Sequence, residues 1–205
     1  MDSRAWDERY SGAELIWTAE PNRFLVAELS ALPPGRALDL ACGEGRNAVW
    51  LARRGWTVTG VDFSRNGLEK GRALAAHHDV EVEWVLADVI AHELPAYAFD
   101  LVVILYLHLA RDDFAAVLEH AVDALAPGGT LLVVGHDITN PTDGYGGPQD
   151  TSVLYGPDDV VGSIGELIVE KAERVRRPVD TADGTVDAID ALVRAHARPY
   201  GEKHP

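Results

Sequence analysis

Ala37-Leu38-Asp39-Leu40-Ala41-Cys42-Gly43-Glu44-Gly45-Arg46-Asn47-Ala48 runs from a short apolar stretch through two closely spaced glycines into a helical pattern. It reads as strand, tight turn and helix. Gly43 and Gly45 permit positive φ and carry no side chain, so a ligand can approach the backbone closely. The helix that follows offers free N–H groups and the positive end of its dipole. Asp39, a carboxylate inside the strand, is the one residue that breaks the apolar pattern.

The same alternation continues on both sides of this stretch. Ala37–Leu40, Thr57–Val61, Val82–Ala87, Leu101–Leu105 and Thr130–Val134 are short, apolar and often β-branched, which predicts strands. Asn47–Arg54, Gly67–His78 and Phe114–Leu125 carry apolar residues at helical spacing, the last with Asp112 placed as its N-cap. Apolar strands joined by helices specify a parallel sheet covered on both faces. Leu167–Arg176 and Ala188–Ala197 predict a closing antiparallel pair near a sheet edge. Residues 137–157, rich in Gly, Pro, Asp and Thr, predict a long loop of a kind usually kept for function. The chain, 1–205, reads as a single domain.

A chain of 205 residues suffices for one full-sized core. Its formal net charge of −15 repels phosphate backbones and anionic lipid, so neither nucleic acid nor membrane is expected as a partner. A local site for a nucleotide-like ligand is still compatible with that charge. Cys42 is the only cysteine, which excludes an internal disulfide and a multi-cysteine zinc site; the histidines lack paired ligand spacing, and no metal is expected. The N-terminus is charged, and no apolar run approaches the roughly 20 residues that span a bilayer. The expectation is a cytoplasmic protein.

Gly43, Gly45 and Ala48 also satisfy the G-x-G-x-x-G/A fingerprint, with Asp62 at the spacing of a ribose-binding acid, so an NAD(P)-dependent oxidoreductase is one reading. Asp39 points elsewhere. A strand carboxylate suits a cationic ligand and is awkward beside a pyrophosphate; S-adenosyl-L-methionine (SAM) carries a sulfonium and an α-ammonium. In Gly60-Val61-Asp62-Phe63-Ser64, Asp62 can accept both ribose hydroxyls or cap the next helix, and Phe63 can pack on adenine. In Leu86-Ala87-Asp88-Val89, Asp88 can accept from the adenine amine. A Tyr-x-x-x-Lys pair that would support hydride transfer is not found.

Taken in order, these motifs resemble the class I SAM-dependent methyltransferases. Leu38–Gly45 is similar to their first motif, with Ala41 where a glycine is more common. Gly60-Val61-Asp62 and Ala87-Asp88-Val89 resemble the ribose and adenine motifs. Phe99-Asp100-Leu101-Val102-Val103 resembles the fourth strand, and Leu125–Leu131 the turn into the fifth. The resemblance implies a Rossmann-like α/β fold: a mostly parallel seven-stranded sheet, helices on both faces and an antiparallel edge. It implies SAM as cofactor, held by Asp39, Ala41, Gly43, Gly45, Asn47, Asp62, Phe63, Asp88, Val89 and Leu105. Gly45-Arg46-Asn47, with Trp6-Asp7-Glu8-Arg9-Tyr10 and Trp17 upstream, is similar to the small bacterial branch of tellurite-resistance and thiopurine methyltransferases. There the N-terminal segment, here residues 1–30, folds over the cofactor, which implies contacts from Trp17 and Arg23. Trp6, Tyr10 and Trp17 serve equally well as core.

Methyl transfer from a sulfonium is an in-line displacement in which positioning is worth roughly 7–11 kcal/mol and a general base roughly 10²–10⁴-fold. The acceptor belongs beyond the C-terminal ends of strands four and five. His108 is the first candidate base and His136 the second, with Asp137 orienting it; Tyr106 and Tyr145 are placed at the acceptor, under a lid of residues 137–157. A small-molecule acceptor with a sulfur, nitrogen, oxygen or metalloid nucleophile is expected, on a monomer or homodimer. A non-catalytic SAM-binding module fits the same motifs.

Overall fold

β1 (Arg36–Leu40) is buried at every residue but its first, and pairs in parallel with β2 (Thr57–Asp62) and with β4 (Phe99–Leu105). A strand flanked on both edges and covered on both faces has to be apolar throughout. That is why the run can be read from sequence and why Asp39 stands out in it. β3 (Glu83–Leu86) continues the parallel set on β2. The computed structural model describes residues 3–12 and 14–200; the ends of the expected 1–205 domain, Met1 and Asp2 among them, lie outside the described residues. With β5 (Leu125–His136), β6 (Ile168–Thr181) and β7 (Gly184–His196) the sheet has seven strands, in the order β3-β2-β1-β4-β5-β7-β6. It is mostly parallel with an antiparallel edge, as the sequence predicts.

Backbone contacts divide the chain into two compact units, Met1–Glu93 with Ala98–Ile104 and Leu94–Tyr97 with Leu105–Pro205. In the first, α1 (Ser3–Arg9), α2 (Arg23–Leu29), α3 (Arg46–Arg53) and α4 (Arg65–His77) accompany the strands. Asn22 caps α2 by accepting from the Phe24 and Leu25 N–H groups, and Ser64 caps α4 through Gly67 N–H at 3.1 Å. Ser64, not Asp62, therefore starts α4. Trp84 of β3 fills the space that three glycines leave. A Cβ on Gly45 would lie 2.3 Å from its ring, on Gly71 2.7 Å and on Gly60 3.1 Å.

The second unit holds α5 (Arg111–Ala124), β5, α6 (Asn140–Asp143), a 3₁₀ turn at Thr151–Val153, α7 (Pro157–Ser163) and the β6–β7 hairpin. β7 is antiparallel to both β5 and β6. Two sequence expectations are corrected here. The N-cap of α5 is Ala110, whose carbonyl accepts from Phe114 N–H at 2.9 Å, so Asp112 lies inside the first turn and acts on the helix dipole instead. Residues 137–157 are not one loop, because α6 and the 3₁₀ turn interrupt them. Among the described residues no helix is long and apolar enough to cross a membrane.

The Trp84 packing gives a stability prediction. Gly45→Ala places a Cβ inside the ring at φ +75°, and is expected to cost about 3 kcal/mol in urea unfolding. Combining it with Trp84→Leu should cost less than the sum of the two single changes; additive costs would show that the ring is not the obstacle.

Candidate active site

In the first unit the turn after β1 is shaped by backbone, not by bulk. Ala41 adopts φ +58°, a left-handed conformation that accounts for the more usual glycine at this position. Gly43 N–H donates to Asp62 Oδ2 at 2.8 Å, while Ser64 N–H donates to Oδ1 of the same carboxylate at 2.8 Å. Asp62 thus ties the first loop to the end of β2. Burial pushes its carboxyl up, against the pull of these N–H groups.

Asp39 lies behind this loop, 1% exposed, and its Oδ2 has no hydrogen-bond partner. Burial and the nearby Asp62 push its carboxyl up to about 7. A buried, half-satisfied carboxylate beside a second one is costly unless a cation or donor completes it. Phe63 is half-buried and Val89 buried, whereas Asp88 is exposed and accepts from its own Ile90 N–H at 3.0 Å. Asn47 is buried, with Oδ1 accepting from Asn22 N–H at 2.8 Å. Arg23 is exposed at the start of α2. The room at Gly45, read from sequence as space for a ligand, is occupied by Trp84.

The N-terminal segment is held onto this loop. Glu44, 3% exposed, accepts from Ile16 N–H at 3.0 Å, Trp17 N–H at 3.1 Å and Lys70 Nζ at 2.9 Å. Asp7 accepts from Ser64 Oγ at 2.6 Å and Asn66 N–H at 3.1 Å. Tyr10 is core, stacked on Trp6 at 5.3 Å, while Trp17 stays 42% exposed. A separate cavity of about 640 Å³ opens among α2, α3 and α4, lined by Trp50, Arg53 and His77 and by neither Asp39 nor Asp62.

In the second unit the sequence candidates converge on a residue the sequence reading passed over. Asp190 is fully buried; its Oδ2 accepts from Tyr106 Oη at 2.7 Å and Arg177 Nε at 2.7 Å, and its Oδ1 lies 3.2 Å from His136 Nδ1. Burial alone would raise its carboxyl, but His136, Arg177 and Tyr106 together hold it below the usual range. Cross-strand register explains the grouping. His136 pairs with Asp190 and Asp190 with Val175, so Arg177 is a diagonal neighbour on the same face. Asp137, one residue along, must point the other way. It accepts from Thr139 N–H at 2.9 Å and Arg174 Nε at 2.9 Å and does not orient His136.

His108 accepts from His136 N–H at 3.2 Å through Nε2, and its ring stacks on that of His136 at 5.3 Å. Burial and the neighbouring His136 drive it down to about 4. Tyr106 turns off β4 at φ +60°. Leu105 is buried, and Tyr145 is 49% exposed on the segment after α6. Gly147 of that segment lies against His136, with a Cβ there falling 2.7 Å from the ring.

Residues 37–129 match the family described as "Methyltransferase domain". Over that stretch the chain is similar to methyltransferases. It is 36% identical over 125 residues to a demethylmenaquinone methyltransferase of Thermus thermophilus, a match covering 60% of this chain and 55% of that protein. The chain spans about half the length of the curated relatives it matches. At the level of fold it is similar to TehB from Haemophilus influenzae (TM-score 0.73, 17% identity, 96% of this chain and 67% of that one). It is also similar to the N-methyltransferase NodS from Bradyrhizobium japonicum in complex with S-adenosyl-L-homocysteine (TM-score 0.69, 18% identity, 95% and 97%).

Sequence reasoning missed Glu44, Asp190 and Arg177. A signal for Asp190 was present: an acid inside the apolar run Ala188-Ile189-Asp190-Ala191-Leu192-Val193 repeats the oddity of Asp39. Glu44 and Arg177 had no such signal, since only tertiary contacts make them special. Removing Glu44 leaves two backbone N–H groups without their partner and Lys70 with the Glu14 carbonyl alone. Glu44→Ala is expected to cost about 3 kcal/mol and to speed tryptic cleavage after Arg9; unchanged cleavage would mean the segment is held by other contacts.

Proposed function

We propose that the chain is a SAM-dependent methyltransferase acting on a small-molecule nucleophile. The observation that carries this reading is Asp39, buried, with one oxygen unpartnered, beside the Ala41–Gly45 turn. Its chemistry fits a cationic ligand and not a pyrophosphate, which would add negative charge beside Asp39 and Asp62. Bound SAM would supply a methyl group activated on a sulfonium. Asp62 has lone pairs left for ribose hydroxyls once Gly43 and Ser64 N–H are served, Phe63 offers a ring to adenine, and Asp88 offers a carboxylate to its amine. The turn from Ala41 to Gly43 lets the backbone approach the ligand, while Gly45 makes room for the Trp84 ring behind it, and Trp17 on the strap held by Glu44 covers the ligand. Val89 supplies apolar contact, with Asn47 and Arg23 positioned by the α2–α3 connection.

The acceptor is a sulfur, nitrogen, oxygen or metalloid compound handled by the second unit, with Tyr106 and Tyr145 in contact and residues 137–157 as its cover. Its proton is taken by a histidine of that unit. Asp137 is not suited to the task, since Thr139 and Arg174 engage its carboxylate. The test is incubation with methyl-labelled SAM and a panel of small thiols, amines, phenols and metalloid oxyanions. Label transfer with release of S-adenosyl-L-homocysteine is expected for one class. SAM binding with no transfer to any member would favour a non-catalytic module.

Asp39 also sets a pH dependence. In the free protein its carboxyl, near 7, is neutral below that value and anionic above it. A cation binds the anionic form, so affinity is full above about pH 7 and falls as pH drops through it. Asp62, raised in the same direction, adds to the loss. Calorimetry between pH 5.5 and 8.5 should show SAM affinity falling by up to tenfold per unit below 7, and Asp39→Asn should flatten most of the slope. Affinity rising toward acid would contradict the assignment.

A further inference from the structure

Within the methyl-transfer reading, we infer that His136, positioned by Asp190, is the proton acceptor, and that the acceptor substrate is therefore a protic one: a thiol, hydroxyl or N–H compound that loses a proton as it is methylated. Three geometric facts carry this. First, Asp190 Oδ2 is used by Tyr106 and Arg177, which leaves Oδ1 facing His136 Nδ1 at 3.2 Å. Neither of these two atoms has a hydrogen-bond partner among the described residues, and at 3.2 Å each is placed to serve the other. A buried carboxylate at Nδ1 keeps the proton on that nitrogen and the lone pair on Nε2.

Second, Nε2 makes no hydrogen bond to any described residue, and what lies over it is Gly147, whose missing side chain would sit 2.8 Å away. A glycine at φ +73° leaves room at the one nitrogen able to accept a proton. Third, the other histidine is already committed. His108 spends its Nε2 lone pair on the backbone N–H of His136 and stacks its ring on the partner's, which makes it a positioning residue.

The groups facing His136 are Asp190 from β7, Arg177 from β6, Tyr106 and His108 from the segment after β4, and Tyr155, which stacks on His108. Asp190 and Arg177 compensate each other, so the ring is set in a locally neutral frame. In the reaction the acceptor's proton passes to Nε2 and the freed electron pair forms the bond to the methyl carbon. The carbon–sulfur pair stays on sulfur. The imidazolium, stabilised by Asp190, then returns its proton to water. A metalloid lone pair needs no such base, and transfer to one would leave His136 unused.

The test needs neither acceptor nor cofactor. The full chain, labelled with ¹⁵N-histidine, is examined at pH 8 by long-range proton–nitrogen correlation, the His136 signals being assigned by their loss in His136→Asn. The expected spectrum has His136 neutral, with the proton on Nδ1. Asp190→Asn should abolish that preference and move the proton largely to Nε2. A neutral ring protonated on Nε2 in the unaltered protein, or a ring protonated on both nitrogens at pH 8, overturns the proposal, and the unaltered protein decides this even if Asp190→Asn does not fold. SAM binding measured on the same sample separates this failure from that of the methyltransferase reading.

Discussion

One carboxylate holds the first loop in its working shape. Asp62 receives Gly43 N–H on one oxygen and Ser64 N–H on the other, at 2.8 Å each. Those two bonds fix the turn after β1 against the end of β2 and set the entry of α4. The turn in turn leaves Asp39 buried with an unpartnered oxygen. Hydrogen bonds to a carboxylate are stronger than neutral ones, and a buried donor left unmade costs about 1–3 kcal/mol. The loop is therefore rigid because it is electrostatically obliged to be. The positive φ of Ala41 and the glycine at 43 follow from the path this carboxylate imposes.

The second unit is organised by a different constraint, the two-residue alternation of strands. His136 and Asp137 are neighbours in sequence and point to opposite faces. Each consequently meets its own arginine-bearing network: Asp190 with Arg177 on one face, Thr139 with Arg174 on the other. β7 is flanked by β5 and β6, so a charge on it survives only if fully paired, and Asp190 is paired on three sides. The network is a scaffold for one imidazole.

Much of the frame could be read from the chain. Buried parallel strands announce themselves as apolar runs, and acids in or just after them, such as Asp39 and Asp62, are conspicuous. Asp112 is a good capping residue by type, but α5 is capped two residues earlier, at Ala110, on backbone geometry alone. The segment 137–157 reads as loop because its composition is that of a loop; its short helices rest on long-range ties such as Asn140 Oδ1 to Ile189 N–H at 2.7 Å. The pairing of His136 with Asp190 depends on strand register, which periodicity fixes only to odd or even. Adjacency in sequence suggested Asp137, and register decided otherwise. Gly45 was legible as a constrained position but not for its cause, because Trp84 lies far along the chain.

The central claim is that the loop around Asp39 and Asp62 binds an adenosyl-sulfur cofactor and not a dinucleotide. The most direct measurement is thermal unfolding of the full chain with SAM, S-adenosyl-L-homocysteine, NAD and NADP in parallel. At a hundred times its dissociation constant a ligand adds about 2.7 kcal/mol, a rise of roughly 5–10 °C for a chain of this size. The account predicts that rise with both adenosyl-sulfur compounds and none with either nicotinamide. A rise with a nicotinamide alone would contradict it and return Gly43, Gly45 and Ala48 to a dinucleotide site.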